Sequence, residues 1–441
     1  KLLRSVSTKV EPLHILVAAR PLTQPLTRPL ARAAAAIMEL PTSHLIPLEP
    51  MDPEDSVRMA RHLLKVEYLP KPVEQLVRNR GQGLPLYVEE LAITLRDTGT
   101  IEVSDGTARL TGDLDQFELR EVSESLERVI VNRVDRLQPS EQLALKVASV
   151  VGFEFSHLAL RDVFPIEHER DALQEHLESL DSSRLIRRIE NRTELEYAFR
   201  NRTIREVTYN LVLVKHRTEL HAAIAAWIEK HYAGELDAHY PRLATHWRRA
   251  GEPARAIDYL ERAGENALEN NANQEAVRFY RRALELEAEL DQRVEPLRRG
   301  KWQRRYAEAL YRLGDMNGSL KQFREAVCLF GHPDSETPVS TVCHGGVEMA
   351  RQLFNRIRVG LVGKPVGRPG EALIEAVRAY ERLFEINYIR NDMPATLVAT
   401  FRALRLAERY GSSPELARCY SNMSAMTSAM IPIVARVTGV L

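Results

Sequence analysis

One spacing of small and aromatic residues recurs in the second half of the chain and restricts how that half can fold. Ala276, Tyr280 and Ala283 stand four and three residues apart, and the same spacing returns 43 residues later. On an α-helix it places all three side chains on one face, where the small residues let a neighbouring helix approach closely. The second copy consists of Ser319, Phe323 and Ala326. The spacing therefore predicts a stack of helix pairs that shares one core.

The bulk composition indicates a folded protein of several domains. A chain of 441 residues is longer than one ordinary core can hold, so we expect about two to four domains. Hydrophobic residues make up 44% and charged residues 28%, a balance that lets packed cores offset the chain entropy. Basic and acidic residues are equal at 61 each, so no net charge draws the molecule to nucleic acid or an acidic membrane.

Cysteine, histidine and apolar patterns argue against metal sites and membrane insertion. Cys328, Cys343 and Cys419 share no C-x-x-C spacing, which suits the reducing cytoplasm better than a zinc site or a disulfide framework. His216 and His221 are five residues apart and miss the i, i+4 spacing of a helical metal site. No apolar stretch approaches the roughly 18 to 20 residues that span a bilayer. The chain begins without a methionine, and an apolar run typical of a buried strand follows within about a dozen residues. We therefore expect a fragment cut at both ends.

Short elements can be predicted in the first half. The run LHILVAA at Leu13–Ala19 lies between prolines and predicts a strand buried in a parallel sheet whose other strands lie upstream. From Asp52 onward, N-cap and proline signals predict short helices. The segment Thr98–Gln116 is rich in glycine, threonine and aspartate and predicts a hairpin.

A second group of elements follows the predicted hairpin. The sequence predicts three helices, over Val122–Leu137, Ser140–Val151 and Asp171–Leu180. Two alternating runs, Leu185–Glu190 and Glu194–Phe199, are joined by a short turn and predict a two-stranded wing. Farther on, glycines and prolines predict breaks at 331–338 and 360–370, with helices resuming at 371 and 414.

Four stretches in this order resemble one family. They read HILVAARP from residue 14, GLPLYVEELAITL from 83, LERVIVNRVDRLQPSEQLALKVASVVGFEF from 126 and YAFRNRTIREVTYNLVLVKHRTELHAAIAAWIE from 197. Together they resemble the STAND branch of AAA-type ATPases, most closely the ATPase modules attached to class III adenylate and guanylate cyclases. The helix-pair spacing resembles tetratricopeptide (TPR) repeats. The resemblance implies a mainly α protein, with the end of a P-loop-type α/β core at 1–50, a helical lid at 51–97, a winged-helix region at 98–215 and an α-solenoid of TPR-like repeats at 216–441.

The resemblance also implies tentative nucleotide-binding residues. In the intact protein ATP or ADP, with Mg²⁺, would lie between core, lid and winged region. Arg20 follows the predicted strand and would read a terminal phosphate, unless it only caps the strand. Gly83 and Pro85 would present a rigid surface to the adenine, unless they form an ordinary helix start. Asn201 stands where many relatives carry a histidine, and because asparagine cannot carry a positive charge, a structural role is the alternative.

The chain contains no complete catalytic site that we can identify. A P-loop requires G-x-x-x-x-G-K-[ST], and the nearest match, GLVGKP at residues 360–365, has the wrong glycine spacing and ends in proline. We therefore assign no catalytic residue and no metal ligand. ATP hydrolysis by the isolated chain is not expected.

These features together predict a regulatory, nucleotide-sensing and protein-interaction segment of a STAND ATPase that controls a linked class III nucleotide cyclase. Protein partners would bind the helical repeats, and the upstream core and the cyclase would be covalent neighbours. One alternative is the same module in a transcription regulator whose DNA-binding domain lies outside this chain. The other is a TPR binding module with a degenerate ATPase remnant. We expect no direct nucleic-acid contact, because the third predicted helix of the winged region carries four acids, Asp171, Glu175, Glu178 and Asp181.

Overall fold

A computed structural model describes residues 46–104, 106–114, 126–190, 194–290, 294–333 and 367–424, together with Met38, His44, Phe117 and Met426. The predicted mainly α fold is confirmed, since helices make up most of the described residues. Two compact units divide between Arg136 and Leu137. The predicted strand at Leu13–Ala19, Arg20 and the GLVGKP segment lie outside the described residues.

Unit 1, up to Arg136, packs helices against a hairpin. Its elements are α1 Pro53–Leu64, α2 Lys71–Arg80, α3 Pro85–Asp97, β1 Ile101–Ser104, β2 Thr107–Leu110 and α4 Leu126–Asp135. Asp52 caps α1 by accepting a hydrogen bond from the backbone N–H of Asp55 at 2.6 Å, as the Asp52-Pro53 signal predicts. The predicted hairpin is confirmed, with Ile101 opposite Leu110. Ile101 shares one core with α1, α2 and α3, so this core spans the predicted lid boundary at residue 97.

Unit 2 begins with helices around a small sheet. Its first elements are α5 Pro139–Val151, β3 Glu154–Ser156, α6 His157–Val163, α7 Leu173–Ser182, β4 Ile186–Ile189 and β5 Glu196–Phe199. The predicted pairing of the last two runs is confirmed, because β4 and β5 are antiparallel with Ile186 opposite Phe199. A third strand, β3, pairs with the other side of β5. Its three residues are too few to show a period of two, and the sequence pattern misses them.

The helices before the wing differ from the prediction. The predicted helix over Val122–Leu137 is α4, Leu126–Asp135 in the described residues, and it belongs to unit 1. Unit 2 contains instead α6, a seven-residue helix between α5 and α7 that the sequence pattern misses because it spans only two turns. Ser156 caps α6 by accepting a hydrogen bond from the backbone N–H of Ala159 at 3.1 Å. The winged-helix assignment and the domain boundaries remain predictions.

Successive helices make up the rest of unit 2. They are α8 Arg202–Asn210, α9 Val214–His231, α10 Tyr240–Arg249, α11 Pro253–Glu269, α12 Asn273–Glu287, α13 Pro296–Arg312, α14 Met316–Leu329, α15 Gly367–Ile389 and α16 Met393–Tyr410. Residues 414–424 are helical again, as the sequence predicts. The predicted break at 360–370 is too long, because its last four residues already belong to α15. Helices α11 and α12, α13 and α14, and α15 and α16 form the pairs.

The predicted small, aromatic, small seam is confirmed in both copies. Ala276, Tyr280 and Ala283 are fully buried on α12, and the equivalent residues of α14 are also buried. Gly264 of α11 explains the close approach, since a Cβ there would lie 2.7 Å from the Tyr280 ring. A Cβ on Gly300 of α13 would likewise lie 2.5 Å from the ring of Phe330. Gly264 and Gly300 show that the seam occupies only one side of α11 and of α13, so another side of these two helices remains for polar residues.

Candidate functional site

The first helix of each repeat pair presents charged side chains to a common cleft of about 600 Å³. Helices α11, α13 and α15 and the helical residues 414–424 supply its lining. The arginines are Arg304, Arg305, Arg312, Arg378, Arg382 and Arg418. The glutamates are Glu265, Glu269, Glu308, Glu381 and Glu385. Leu268 is the apolar residue of the lining, and charged groups dominate the surface that a ligand would meet.

Ion pairs between helices hold the charges of the cleft in place. Arg382 on α15 donates to both carboxylate oxygens of Glu308 on α13, at 2.8 and 3.0 Å. Arg312, which lies one turn after Glu308 on α13, donates to the same carboxylate at 3.2 Å. Arg304 pairs with Glu375, and Arg305 pairs with Glu265. Bidentate arginine pairs of this kind fix both position and orientation, so the cleft is already ordered before a ligand binds.

The same network shifts the titration of its members. Burial raises the pKa of Glu381, although hydrogen bonds from Arg418 lower it in part. The pKa of Arg382 is raised, because attraction to Glu308 and hydrogen bonds to Glu385 outweigh the effect of burial. Arg382 therefore remains a cation at any physiological pH. Glu269 differs from its neighbours, since it is exposed at the end of α11 and forms no ion pair among the described residues.

The arginine pairs at 248–249 and 304–305 correct one prediction. Alternation with acids predicts solvated helix faces for both pairs and for Arg187-Arg188, which is exposed but lies on the strand β4. Arg304 and Arg305 are instead half-buried and pair with glutamates of other helices. Those acids are 40 or more residues away in the chain. Alternation within a short window cannot reveal such partners. Arg248 and Arg249 are exposed, as predicted.

The tentative nucleotide residues of unit 1 form a well-defined turn. Gly83 has a φ of 65°, and its carbonyl oxygen accepts a hydrogen bond from the backbone N–H of Met51 at 2.8 Å. A Cβ at this position would lie 2.5 Å from the Met51 oxygen, so the fold itself requires glycine. Leu84 and Pro85 are exposed at the start of α3. The turn thus has a structural reason for its glycine and an accessible apolar surface beside it.

Helix α3 confirms one prediction and corrects another. It begins at Pro85, and Tyr87, Leu91 and Leu95 are buried along one face, as four-residue spacing predicts. The sequence predicts that Glu89 and Glu90 lie in the first turn, where the helix dipole favours negative charge, but both lie beyond that turn. Glu90 is buried and forms an ion pair with the buried Arg133 of α4. Burial raises the pKa of Glu90, and Arg133 lowers it in part.

Asn201 performs a structural task in unit 2. It is the N-cap of α8, and its side-chain oxygen accepts a hydrogen bond from the backbone N–H of Ile204 at 2.8 Å. The side-chain oxygen of Asn201 thus caps a helix, which is a structural role of the kind given above as the alternative to nucleotide binding. Gly83 and Pro85 belong to unit 1 and Asn201 to unit 2. The described residues do not include Arg20, the fourth member of the predicted set.

A buried histidine pair is a feature that the sequence does not predict. The Nδ1 atoms of His221 on α9 and His246 on α10 lie 2.9 Å apart. The Tyr209 hydroxyl lies 3.0 Å from the Nε2 atom of His221. Burial, followed by nearby arginines, lowers the pKa of His221 to about 3, and burial with His221 lowers that of His246 to about 3. Both rings are therefore neutral at pH 7.

The three tryptophans of the chain are buried or half-buried. The sequence places the three tryptophans on helix faces beside alanine and leucine, which predicts core packing, and Trp247 and Trp302 are buried accordingly. Trp227 is half-buried, and its Nε1–H donates to Asp162 at 3.0 Å. Within the described ranges, no helix combines the length and the apolar character needed to span a bilayer.

Comparison with known proteins gives limited matches. Residues 52–109, from the N-cap of α1 into β2, match a family model described as Domain of unknown function (DUF8739). No curated protein sequence matches the chain. A signal transduction ATPase with numerous domains (STAND) with a tetratricopeptide repeat sensor from Pyrococcus horikoshii is 10% identical, with a TM-score of 0.32. The match covers 87% of this chain and 58% of that protein, so this chain spans a little over half of its length.

Two further solved structures match the chain over about half of its length. BtubC (BKLC) from P. vanneervenii is 16% identical with a TM-score of 0.22, and the match covers 47% of this chain and 92% of that one. A Podospora anserina protein described as having TPR-like repeats that are nearly identical to one another is 15% identical to this chain, with a TM-score of 0.15. The match covers 49% of this chain and 89% of that one. Because each TM-score is below 0.5, neither a site nor a function is assigned from these likenesses.

Proposed function

We propose that this chain is a regulatory segment whose helical repeats bind a protein ligand in the charged cleft. The observation that carries the proposal is the cleft itself. Six arginines and five glutamates from successive repeats converge on one concave surface. In a stack of helix pairs, the first helices of successive pairs lie side by side along one surface. Such an extended surface suits an extended ligand.

The charges of the cleft indicate the kind of protein ligand. Both signs are present in nearly equal number, so a strongly acidic or strongly basic ligand would find as much repulsion as attraction. A segment with alternating charges can instead exchange ion pairs with the half-buried arginines. Leu268 offers little apolar area for a small hydrophobic molecule. A polar polypeptide segment of mixed charge is therefore the ligand class that fits best.

Nucleotide sensing is the second part of the proposal. The exposed Leu84 and Pro85, held by the Gly83 turn, would provide a rigid apolar wall beside an adenine. The described residues do not form a phosphate cradle at that turn, and no P-loop motif occurs in the sequence. ATP or ADP and Mg²⁺ would thus depend on a nucleotide-binding core outside this chain. The attached effector that we propose is a class III nucleotide cyclase, and a DNA-binding domain is the alternative.

Site-specific photo-crosslinking in cells tests the protein-binding role. A photoreactive amino acid at position 269 lies in the cleft, and the same amino acid at position 262 of the same helix does not line it. We expect a discrete crosslinked protein, identified by mass spectrometry, from position 269 and not from position 262. Equal crosslinking from both positions, or none from 269, would contradict the proposal.

A further inference from the structure

Three arginines surround one tyrosine ring where α8, α9 and α10 meet. The guanidinium carbons of Arg205, Arg217 and Arg249 lie 5.9, 5.0 and 5.4 Å from the centroid of the Tyr209 ring. Arg205 comes from the same helix as Tyr209, Arg217 from α9 and Arg249 from the end of α10. We call these three residues the arginine triad. Tyr209, Arg205 and Arg217 are half-buried and Arg249 is exposed, so solvent and solutes can reach the triad.

No carboxylate neutralises the arginine triad within the part of the chain that the structure describes. Arg205 donates through Nε to the backbone oxygen of Ser149 at 3.0 Å, which leaves its terminal nitrogens available. The Nε atom of Arg217 is buried and has no hydrogen-bond partner among the described residues. Glu206 is the nearby acid that acts on Arg205, but it is exposed and forms no ion pair in the described residues. Three cations thus share one small region, and none of them forms an ion pair among the described residues.

The contrast with the cleft shows that this arrangement is unusual for the molecule. Arg304, Arg305 and Arg382 of the cleft each form an ion pair with at least one carboxylate. Unpaired cations held close together repel one another, and this repulsion destabilises the folded chain unless an anion relieves it. A fold that pairs arginines in its cleft but assembles three unpaired ones around Tyr209 has the electrostatics of an anion site.

The two histidines behind the ring carry no charge at pH 7. Tyr209 contacts His221, which in turn contacts His246, and both histidines are neutral. Arg249, Arg205 and Arg217 all act to lower the pKa of His221 after burial itself. The described neighbours on α9 and α10 therefore add no negative charge that could substitute for a ligand.

We propose that the arginine triad binds a phosphoryl oxyanion, supplied either as free phosphate or as the phosphate end of a nucleotide. A guanidinium is a planar fork that matches two oxygens of a phosphate. One carboxylate has only two oxygens and satisfies one fork, whereas a tetrahedral phosphate can meet forks from several directions. The buried Arg217 Nε would gain its missing acceptor.

Isothermal titration of the full chain with inorganic phosphate, ADP and acetate, at matched ionic strength in chloride, tests the site. We expect phosphate or ADP to bind and acetate to bind at least about tenfold more weakly, since charge-assisted hydrogen bonds to several forks are lost. Arg249→Gln and Arg217→Gln should each weaken binding of the phosphoryl ligand by about tenfold or more. Binding of ADP but not of phosphate would identify the nucleotide as the source, provided that Arg249→Gln weakens ADP binding to the extent just stated.

The matched control is Arg262→Gln. Arg262 also lies over a tyrosine ring, with its guanidinium carbon 5.5 Å from the Tyr259 centroid, but it is a single exposed arginine. Its replacement should leave the affinity unchanged within about twofold. An independent readout is the ¹⁵N chemical shift of His221, whose pKa should rise when the bound anion offsets the three cations. No binding of phosphate or ADP, or equal loss in the triad variants and in Arg262→Gln, would overturn the proposal.

Discussion

Replacing Arg133 with alanine should lower the free energy of unfolding of unit 1 by about 3 to 5 kcal/mol. The Glu90 carboxylate is 2% exposed and pairs with Arg133, itself 6% exposed. Without the guanidinium, the Glu90 carboxylate must either remain an unpaired buried charge or take up a proton. Burial already raises the pKa of Glu90, and the variant loses the partner that lowers it. The stability loss should therefore shrink as the pH falls and the carboxyl group becomes protonated.

Hydrogen exchange of the α3 amides measures this effect in the full chain. The control is Arg96→Ala on α3, which removes a surface pair with Asp97 and should cost less than about 1 kcal/mol. Replacing both Glu90 and Arg133 with methionine should recover most of the loss, because two apolar side chains leave no buried charge. Unchanged protection of α3 in Arg133→Ala would show that the buried pair does not stabilise the unit.

Unit 2 should lose about 4 kcal/mol of stability between pH 7 and pH 5 through its histidine pair. The pKa values of His221 and His246 are lowered from 6.5 to about 3 in the folded state. Below pH 6.5 the unfolded chain binds protons that the folded chain does not. The stabilisation is therefore complete above the unfolded pKa and is lost as the pH falls toward 3. At pH 5 each histidine accounts for about 2 kcal/mol.

Urea unfolding at the two pH values, followed by tryptophan fluorescence, measures this loss. Trp227, Trp247 and Trp302 are the three tryptophans of the chain, and all belong to unit 2. The double variant His221→Phe, His246→Leu should show a much smaller loss at pH 5 than the wild type. The exposed His216→Gln should behave as the wild type. Chloride buffers are needed, because phosphate would stabilise the arginine triad. The same pH dependence in wild type and double variant would contradict this explanation.

Sequence periodicity predicts the parts of this fold that depend on local order. The seam around Tyr280 follows from helical spacing alone, and the β4–β5 pairing follows from two alternating runs and a short turn. Local sequence pattern does not predict the ion pair of Glu90, because the spacing that places Glu90 on α3 cannot reveal a partner 43 residues later. It also fails for β3 and α6, which are too short to establish a period.

The candidate site depends mainly on long-range pairing, so little of it can be predicted from sequence. Arg382 and Glu308 are 74 residues apart, and His221 and His246 are 25 apart. Nothing in the neighbouring residues distinguishes these side chains from ordinary surface groups. The TPR-like spacing does predict that a concave surface exists, but not that arginines and glutamates line it. Gly83 is the exception, since its left-handed turn and the helix start after it can be predicted from adjacent residues.

The most direct test of the account is the affinity of the purified chain for the partner captured from position 269. Glu269→Lys reverses a charge inside the cleft without breaking an ion pair of the described residues. Glu219→Lys reverses the charge of an exposed glutamate on α9, outside the cleft lining, and removes only a solvent-exposed pair with Lys215. We predict that Glu269→Lys changes the dissociation constant by about tenfold or more while Glu219→Lys changes it by less than about twofold. Equal dissociation constants for wild type and Glu269→Lys would show that the cleft is not where the protein ligand binds.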